Sequence, residues 1–408
     1  MNLLRQRSNI ALWLLLLAVI NSMIFNSTLY DKFSVILIFV SCILLGRKET
    51  SFMNPYYFFS ITPLSLMLYF NLGSFYMQDL SHETYLLAII NMSGFVFALS
   101  LTSSYKKVRS SLGTNSSRDL IVHSVILYLL SLSAKFIPFL SSVLWVFSIP
   151  AIACAVKSKK KIMLIFVALI IGSSMFGETS KMSVLLNVLT ALITYEKYYN
   201  VNVNSKIKIF FYVIFGIFFM IYSFSFAIKD NEYMDVDEGV EYYSKNGVDW
   251  SLNATLFMPY MYLTTPWSNL QYVTETQTEK TNGLWTFKPL LGYVQLDDSF
   301  EKDYELEAYS SFNTFTYIVC AYKDFGFWGS VVMSFFLGFF VKKIYSRYKV
   351  SESPFDVAIY VCTSLAVVEM FFSNHFFMQS YPFTIVIVMG IYRIFISLIN
   401  QKKFIVSN

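Results

Sequence analysis

The sequence predicts an all-α polytopic membrane protein with about twelve transmembrane helices, and three observations carry that prediction. Hydrophobic residues make up 56% of the 408 residues and charged residues only 14%, with a mean hydropathy of +0.53; a soluble domain carries roughly a quarter charged residues. Apolar runs recur along the chain at lengths near the ~20 residues that a helix needs to cross a bilayer core. Lys and Arg crowd every second gap between those runs.

In chain order the apolar runs are 9–25, 32–46, 55–73, 84–104, 119–135, 137–156, 161–176, 182–197, 207–228, 325–343, 355–374 and 380–398. Arg5 and Arg7 before Ile10–Ile20 have the look of a signal peptide, but no small-residue cleavage site follows and further runs do, so an uncleaved first helix is expected. The basic gaps hold Arg5/Arg7, Arg47/Lys48, Lys106/Lys107/Arg109/Arg118, Lys157/Lys159/Lys160/Lys161, Lys197/Lys206/Lys208, Lys342/Lys343/Arg347/Lys349 and Lys402/Lys403, together 21 of the 31 Lys and Arg. The positive-inside bias places them on the cytoplasmic face. Charge parity also divides two long stretches. Residues 121–156 are interrupted only by Lys135 and Pro138, and residues 162–195 only by 177–181. Each is flanked by basic gaps that belong on one face, so each must be two helices turning at the outer face. Both termini are then cytoplasmic, in a multi-pass membrane protein.

The chain is expected to form one membrane domain, 1–408, with a large periplasmic loop, 229–324, between the ninth and tenth helices. That loop holds 16 of the 26 acidic residues and six lysines. Within it, Leu256–Val273 is rich in aromatics and Met but is interrupted by Pro259 and Pro266, so it should lie at the interface or dip into the protein. Ser311–Tyr322 alternates polar and apolar residues at helical spacing and is expected to form an amphipathic helix running into the tenth span. Cys42, Cys154, Cys320 and Cys362 show no disulfide or metal spacing. The basic residues follow the orientation rule rather than forming a patch, which weighs against nucleic acid as a partner. No Walker loop, Gly-x-Gly-x-x-Gly or His-Glu-x-x-His occurs, so neither ATP-driven transport nor zinc proteolysis is supported.

Two stretches resemble bacterial oligosaccharide repeat-unit polymerases, the Wzy-type O-antigen polymerases. Tyr262-Leu263-Thr264-Thr265-Pro266-Trp267-Ser268-Asn269-Leu270 is similar to their Tyr-Leu…Pro…Asn stretch. Asn313-Thr314-Phe315-Thr316, followed by Tyr322-Lys323-Asp324-Phe325-Gly326-Phe327-Trp328-Gly329, is similar to the Asn-x-x-Thr…Asp-Phe-Gly-x-x-Gly approach to a late helix. The layout is also similar: about a dozen helices with one large outer loop before the last three. The resemblance implies the integral-membrane glycosyltransferase (GT-C-like) architecture shared with O-antigen ligases. It further implies a bacterial cytoplasmic (inner) membrane and metal-independent transfer at its periplasmic face, without a cofactor. A hydroxyl of an incoming lipid-linked repeat unit would attack C1 of the growing chain, and undecaprenyl pyrophosphate would leave. Family members often carry Arg where this chain has Lys181, and Lys binds phosphate as a point charge rather than as a fork.

A pyrophosphate leaving group needs cations. Lys135, Lys181, Lys229 and Lys323 sit where a membrane-embedded phosphate is within reach; Lys181 opens a helix, whose N-terminal dipole favours anions. Each also reads as a snorkelling interfacial lysine. Lys280 belongs to the wider set of outer-face lysines. Glu178 and Asp324, each beside a cation, and His375, at the last outer turn, are candidate catalytic groups. So is Glu369, because a carboxylate inside a span is costly and by default functional. Tyr262, Pro266, Trp267, Asn269 and Asn313 carry the resemblance and are candidate substrate contacts. Trp250, Trp267 and Trp285 suit either sugar stacking or interfacial anchoring. Arg393 is expected to snorkel to the cytoplasm, and His123 to lie on that side, away from the chemistry. The expected partners are undecaprenyl-pyrophosphate-linked oligosaccharide, the bilayer and a chain-length regulator. Two other readings remain: a lipid-linked oligosaccharide flippase or other secondary transporter, and a membrane acyltransferase or ligase acting at the same face.

Overall fold

In the computed structural model of the chain, the described residues are 2–46, 62–69, 80–101, 116–134, 136, 141–175, 181–199, 266–276, 279–287, 316–368, 370 and 381–406. Every regular element among them is helical. They are α1 (Asn2–Ile24), α2 (Thr28–Gly46), α3 (Thr62–Tyr69), α4 (His82–Ser100), α5 (Ser117–Ser133) and α6 (Ser141–Leu144, continued by a 3₁₀ turn, Trp145–Phe147). Then come α7 (Ser148–Lys157), α8 (Lys161–Met175), α9 (Lys181–Tyr199), α10 (266–276), α11 (Ile318–Val350), α12 (Pro354–Val368) and α13 (Tyr381–Val406). Three of them, Thr28–Leu45, His82–Ser100 and Ile318–Val350, are apolar and long enough to cross a bilayer. The chain is a helical membrane protein.

Each predicted apolar run holds a helix, except 207–228, which lies outside the described residues. Residues 121–156 fall into α5 and the α6–α7 segment, and 162–195 into α8 and α9, as charge parity requires. The helix starts are written locally. The Ser81 hydroxyl accepts from the Thr84 N–H (3.3 Å) and the Ser116 hydroxyl from the Asp119 N–H (3.0 Å), each cap followed by a first-turn acid, Glu83 or Asp119.

The helices form two groups. α1–α4 pack with one another and set α4 against α11; α5, α7, α8 and α9 pack with one another, and α7 and α9 against α12; α11 against α12 joins the groups. The closest partnership is α4 with α11. Fully buried Asn91 donates to the Ser330 hydroxyl (3.1 Å) and accepts from Ser334 (2.5 Å). Small residues let the backbones approach: a Cβ on Gly338 would stand 2.5 Å from the Phe95 carbonyl oxygen. Lipid offers no hydrophobic drive between helices, so close backbone approach and interhelical hydrogen bonds do this work.

α11 is not one straight rod. Gly326, at φ 71° and ψ −165°, breaks it into arms 318–325 and 327–350; that backbone region is open essentially to glycine alone. The Tyr317 N–H donates to the Met370 carbonyl (3.2 Å), and its ring lies 5.9 Å from that of Phe95. Residues 317 and 338 therefore reach the same level of α4 from opposite directions along the chain. The short arm rises from the protein interior, the chain turns at Gly326, and the long arm descends. At 1.5 Å per residue the short arm covers about 12 Å, less than half of a bilayer core of about 30 Å. The sequence predicts a continuous amphipathic helix entering a span; the structure has a half-length, buried arm instead, because Gly326 permits the reversal.

The described residues of four basic gaps, around 117, 157, 197 and 347, meet at one end of the bundle. The Ser117 hydroxyl donates to the Ser158 carbonyl (2.8 Å), and Lys157 and Tyr198 both donate to the Glu352 carbonyl (2.7 and 2.8 Å). Lys197 donates to the Tyr348 carbonyl and lies 4.0 Å from that ring's centroid. Asp356, 4% exposed, accepts from Arg393 (2.5 Å), Arg347 (2.9 Å) and Ser351 (2.5 Å). Arg393 thus turns inward rather than snorkelling, drawn by a buried carboxylate that needs a charged partner. His123 shares a hydrogen bond with the Tyr392 hydroxyl (2.7 Å).

Candidate functional site: the Gly326 apex

The turn of α11 lies at the end opposite the basic gaps. Lys323 and Asp324 immediately precede it and are both buried, 6% and 1% exposed. The Asp324 carboxylate accepts from the Thr281 hydroxyl (2.5 Å) and from the N–H groups of Trp285 (3.2 Å) and Thr286 (2.5 Å). Those N–H groups open the helical turn 284–287, so Asp324 caps it. The Thr281 N–H donates to the Lys323 carbonyl (3.3 Å). Asn282 and Gly283, at φ 51° and 100°, make the tight bend between these contacts. Residues 280–287 are thereby clamped onto the apex.

That clamp delivers Lys280. Its Cε and Nζ lie 3.3 and 3.6 Å from where a Cβ on Gly326 would stand, and Nζ sits 4.4 Å from the centroid of the Tyr322 ring. Partial desolvation, and next the nearby Lys323 charge, push the Lys280 ammonium below the ordinary lysine range. Two ammonium groups therefore share one apex. Half-buried Tyr322 lies close enough to exposed Glu83 to feel its charge. The Gln271 side chain accepts from the Ser81 N–H (3.1 Å) and donates to Glu275 (2.8 Å), tying α10 to the start of α4.

Lys323 and Asp324 form the apex, and Pro266, Trp267 and Asn269 lie on α10, which Gln271 ties to the start of α4. Both of the oxygens of Asp324 serve as acceptors for the 281–286 segment, which makes it the residue that positions Lys280. Trp267 and Asn269 are 0% exposed; in this conformation Trp267 is part of the core and presents no face to a sugar. Lys181 is the first residue of α9. Glu178, Glu369, His375, Lys135, Lys229, Tyr262 and Asn313 lie outside the described residues. The chain beside Glu369 meets the inner end of the short arm, since the Met370 carbonyl receives the N–H of Tyr317.

Sequence reasoning passed over Lys280 as a phosphate ligand, because no local spacing joins it to Gly326. The Asp-Phe-Gly stretch marked the apex, and nothing in the sequence marked which outer lysine would fold over it. An apolar groove of about 520 Å³ runs between α1, α4 and α11, lined by Leu12, Trp13, Leu16, Gly94, Phe97 and Val331. Chemically, the apex offers two positive charges and a phenol ring at the end of a broken helix, with lipid-facing apolar surface beside it. The chain matches no family model, no curated protein and no solved structure.

Proposed function

We propose that the chain is a repeat-unit polymerase that extends oligosaccharide on undecaprenyl pyrophosphate at the outer face of a bacterial cytoplasmic membrane, in a twelve-helix, GT-C-like architecture. The observation that carries this reading is Lys280 folded against Gly326 and close enough to Lys323 to feel its charge, where 322–329 is the stretch that resembles the Wzy-type polymerases. A diphosphate seated there has its charge countered by two ammonium groups. As a sugar hydroxyl of the incoming unit forms a bond to C1 of the growing chain, the C1–O bond to diphosphate breaks. The electron pair leaves with the diphosphate oxygen, and cations fixed beforehand stabilise that charge as it develops. The groove along α1, α4 and α11 suits the prenyl tail, being apolar and open to lipid.

The experiment is deletion of the gene. Lipid-linked material capped by a single repeat unit, with long polysaccharide lost, supports polymerisation. One observation favours the second reading, a lipid-linked oligosaccharide flippase: a half-length arm that begins inside the protein is the kind of discontinuous helix on which transporters build binding sites. Repeat units stranded on the cytoplasmic leaflet after deletion would support that reading and count against the first.

A further inference from the structure

At the top of α1, α2 and α4, a short distance along the chain from the Ser81–Gln271 contact, lies an Asp–His pair that the apex chemistry does not use. Asp31, in the first turn of α2, is 0% exposed. One of its carboxylate oxygens accepts from the Ser22 hydroxyl of α1 (2.5 Å), and the other lies 2.7 Å from His82 Nδ1. His82 is the first residue of α4, and its side chain is 19% exposed. A carboxylate at Nδ1 fixes the proton there and leaves Nε2 as the basic nitrogen. A buried carboxylate orienting an imidazole whose second nitrogen can reach solvent is the arrangement of a general base. Mere linkage of three helices needs neither a titratable ring nor exposure.

The pair also sits in the right neighbourhood. Ser81 joins α4 to α10, and Glu83 acts on Tyr322, the residue before Lys323. We propose that His82 is the general base that activates the acceptor sugar hydroxyl, with Asp31 as its positioning residue; this rests on the polymerase reading above. His82 Nε2 takes the hydroxyl proton as the acceptor oxygen bonds to C1 and the diphosphate departs with the C1–O electron pair toward Lys280 and Lys323. The imidazolium then releases its proton to water. The charged or titratable groups on the helices about the ring are Asp31, Tyr30 and Lys32 on α2 and Glu83 on α4, while α1 brings the neutral Ser22 and Asn21.

The test uses the full chain in proteoliposomes with a polyprenyl-diphosphate-linked oligosaccharide, following elongation. Wild type should elongate. His82→Ala should lose about 100-fold in kcat, a typical general-base contribution, with KM nearly unchanged. Added imidazole should restore part of the rate, which no structural role explains. His82→Gln keeps a donor for Asp31 and should fold yet remain slow. Asp31→Asn should lower kcat more than it raises KM. If Lys323→Ala is inactive while His82→Ala elongates at the wild-type rate, the base assignment is overturned and the polymerase reading stands. If wild type elongates nothing, both are overturned.

Discussion

The two ends of the bundle handle positive charge in opposite ways. At the basic end, cations are matched to fixed acceptors: Arg347 and Arg393 to Asp356, Lys157 to the Glu352 carbonyl, Lys197 to the Tyr348 carbonyl and ring. At the apex end, the buried carboxylate Asp324 accepts from a hydroxyl and two backbone N–H groups. The segment it holds then brings Lys280 toward Lys323, a like charge that lowers its affinity for a proton. Like charges brought together cost free energy, and that cost is offset when an anion arrives.

Four substitutions and one titration sharpen that contrast. The largest effect should come from Asp356→Ala, which strands Arg393 (18% exposed) without its buried partner. Breaking such a pair costs about 3 kcal/mol or more, seen as a lower Tm in detergent, while polymer length per folded molecule should stay unchanged. Lys280→Ala should do the reverse: thermal stability should hardly move, and transfer should fall on the order of 100-fold, as when one charge-stabilising donor is removed from an active site. Lys323→Ala should lower transfer per folded molecule by a similar factor. Normal polysaccharide length in both variants would mean the two ends do not differ in role.

Gly326→Ala tests the turn itself. Forcing a side chain into backbone at φ 71°, ψ −165° costs about 1–3 kcal/mol, and the new Cβ meets Lys280 at 3.3 Å. Both stability and transfer should therefore drop, unlike at either end alone. The smallest effect is a titration. Lys280 loses its proton at lower pH than an ordinary lysine, and the anion binds its charged form. Pyrophosphate affinity should therefore weaken as pH rises through that lowered value, and Lys280→Ala should flatten this dependence in an isothermal titration series.

Much of the fold was legible because a bilayer imposes simple rules. Span length and alternating cations divided 121–156 and 162–195 correctly, and the structure gathers Ser117, Lys157, Lys197 and Glu352 at one end. The reversal at Gly326 was not legible. Residues 311–322 alternate at helical period whichever way the helix runs, and one glycine's φ is not written in hydropathy. Arg393 was misplaced for a related reason: a cation near a span end reads as snorkelling unless its partner, Asp356 on another helix, is known. Of the candidate site, Lys323 and Asp324 were visible through local sequence. Lys280 and the Asp31–His82 contact depend on long-range packing that no spacing encodes.

The contrast between the two ends is tested most directly by sidedness. The four native cysteines are buried, so single introduced cysteines can report with a membrane-impermeant thiol reagent. Glu279, beside the apex, and Glu352, at the basic end, are both exposed. Glu279→Cys should label in intact spheroplasts and Glu352→Cys only after permeabilisation. The opposite pattern would place the lysine pair in the cytosol, where extension of an outward-facing polyprenyl-linked chain could not occur.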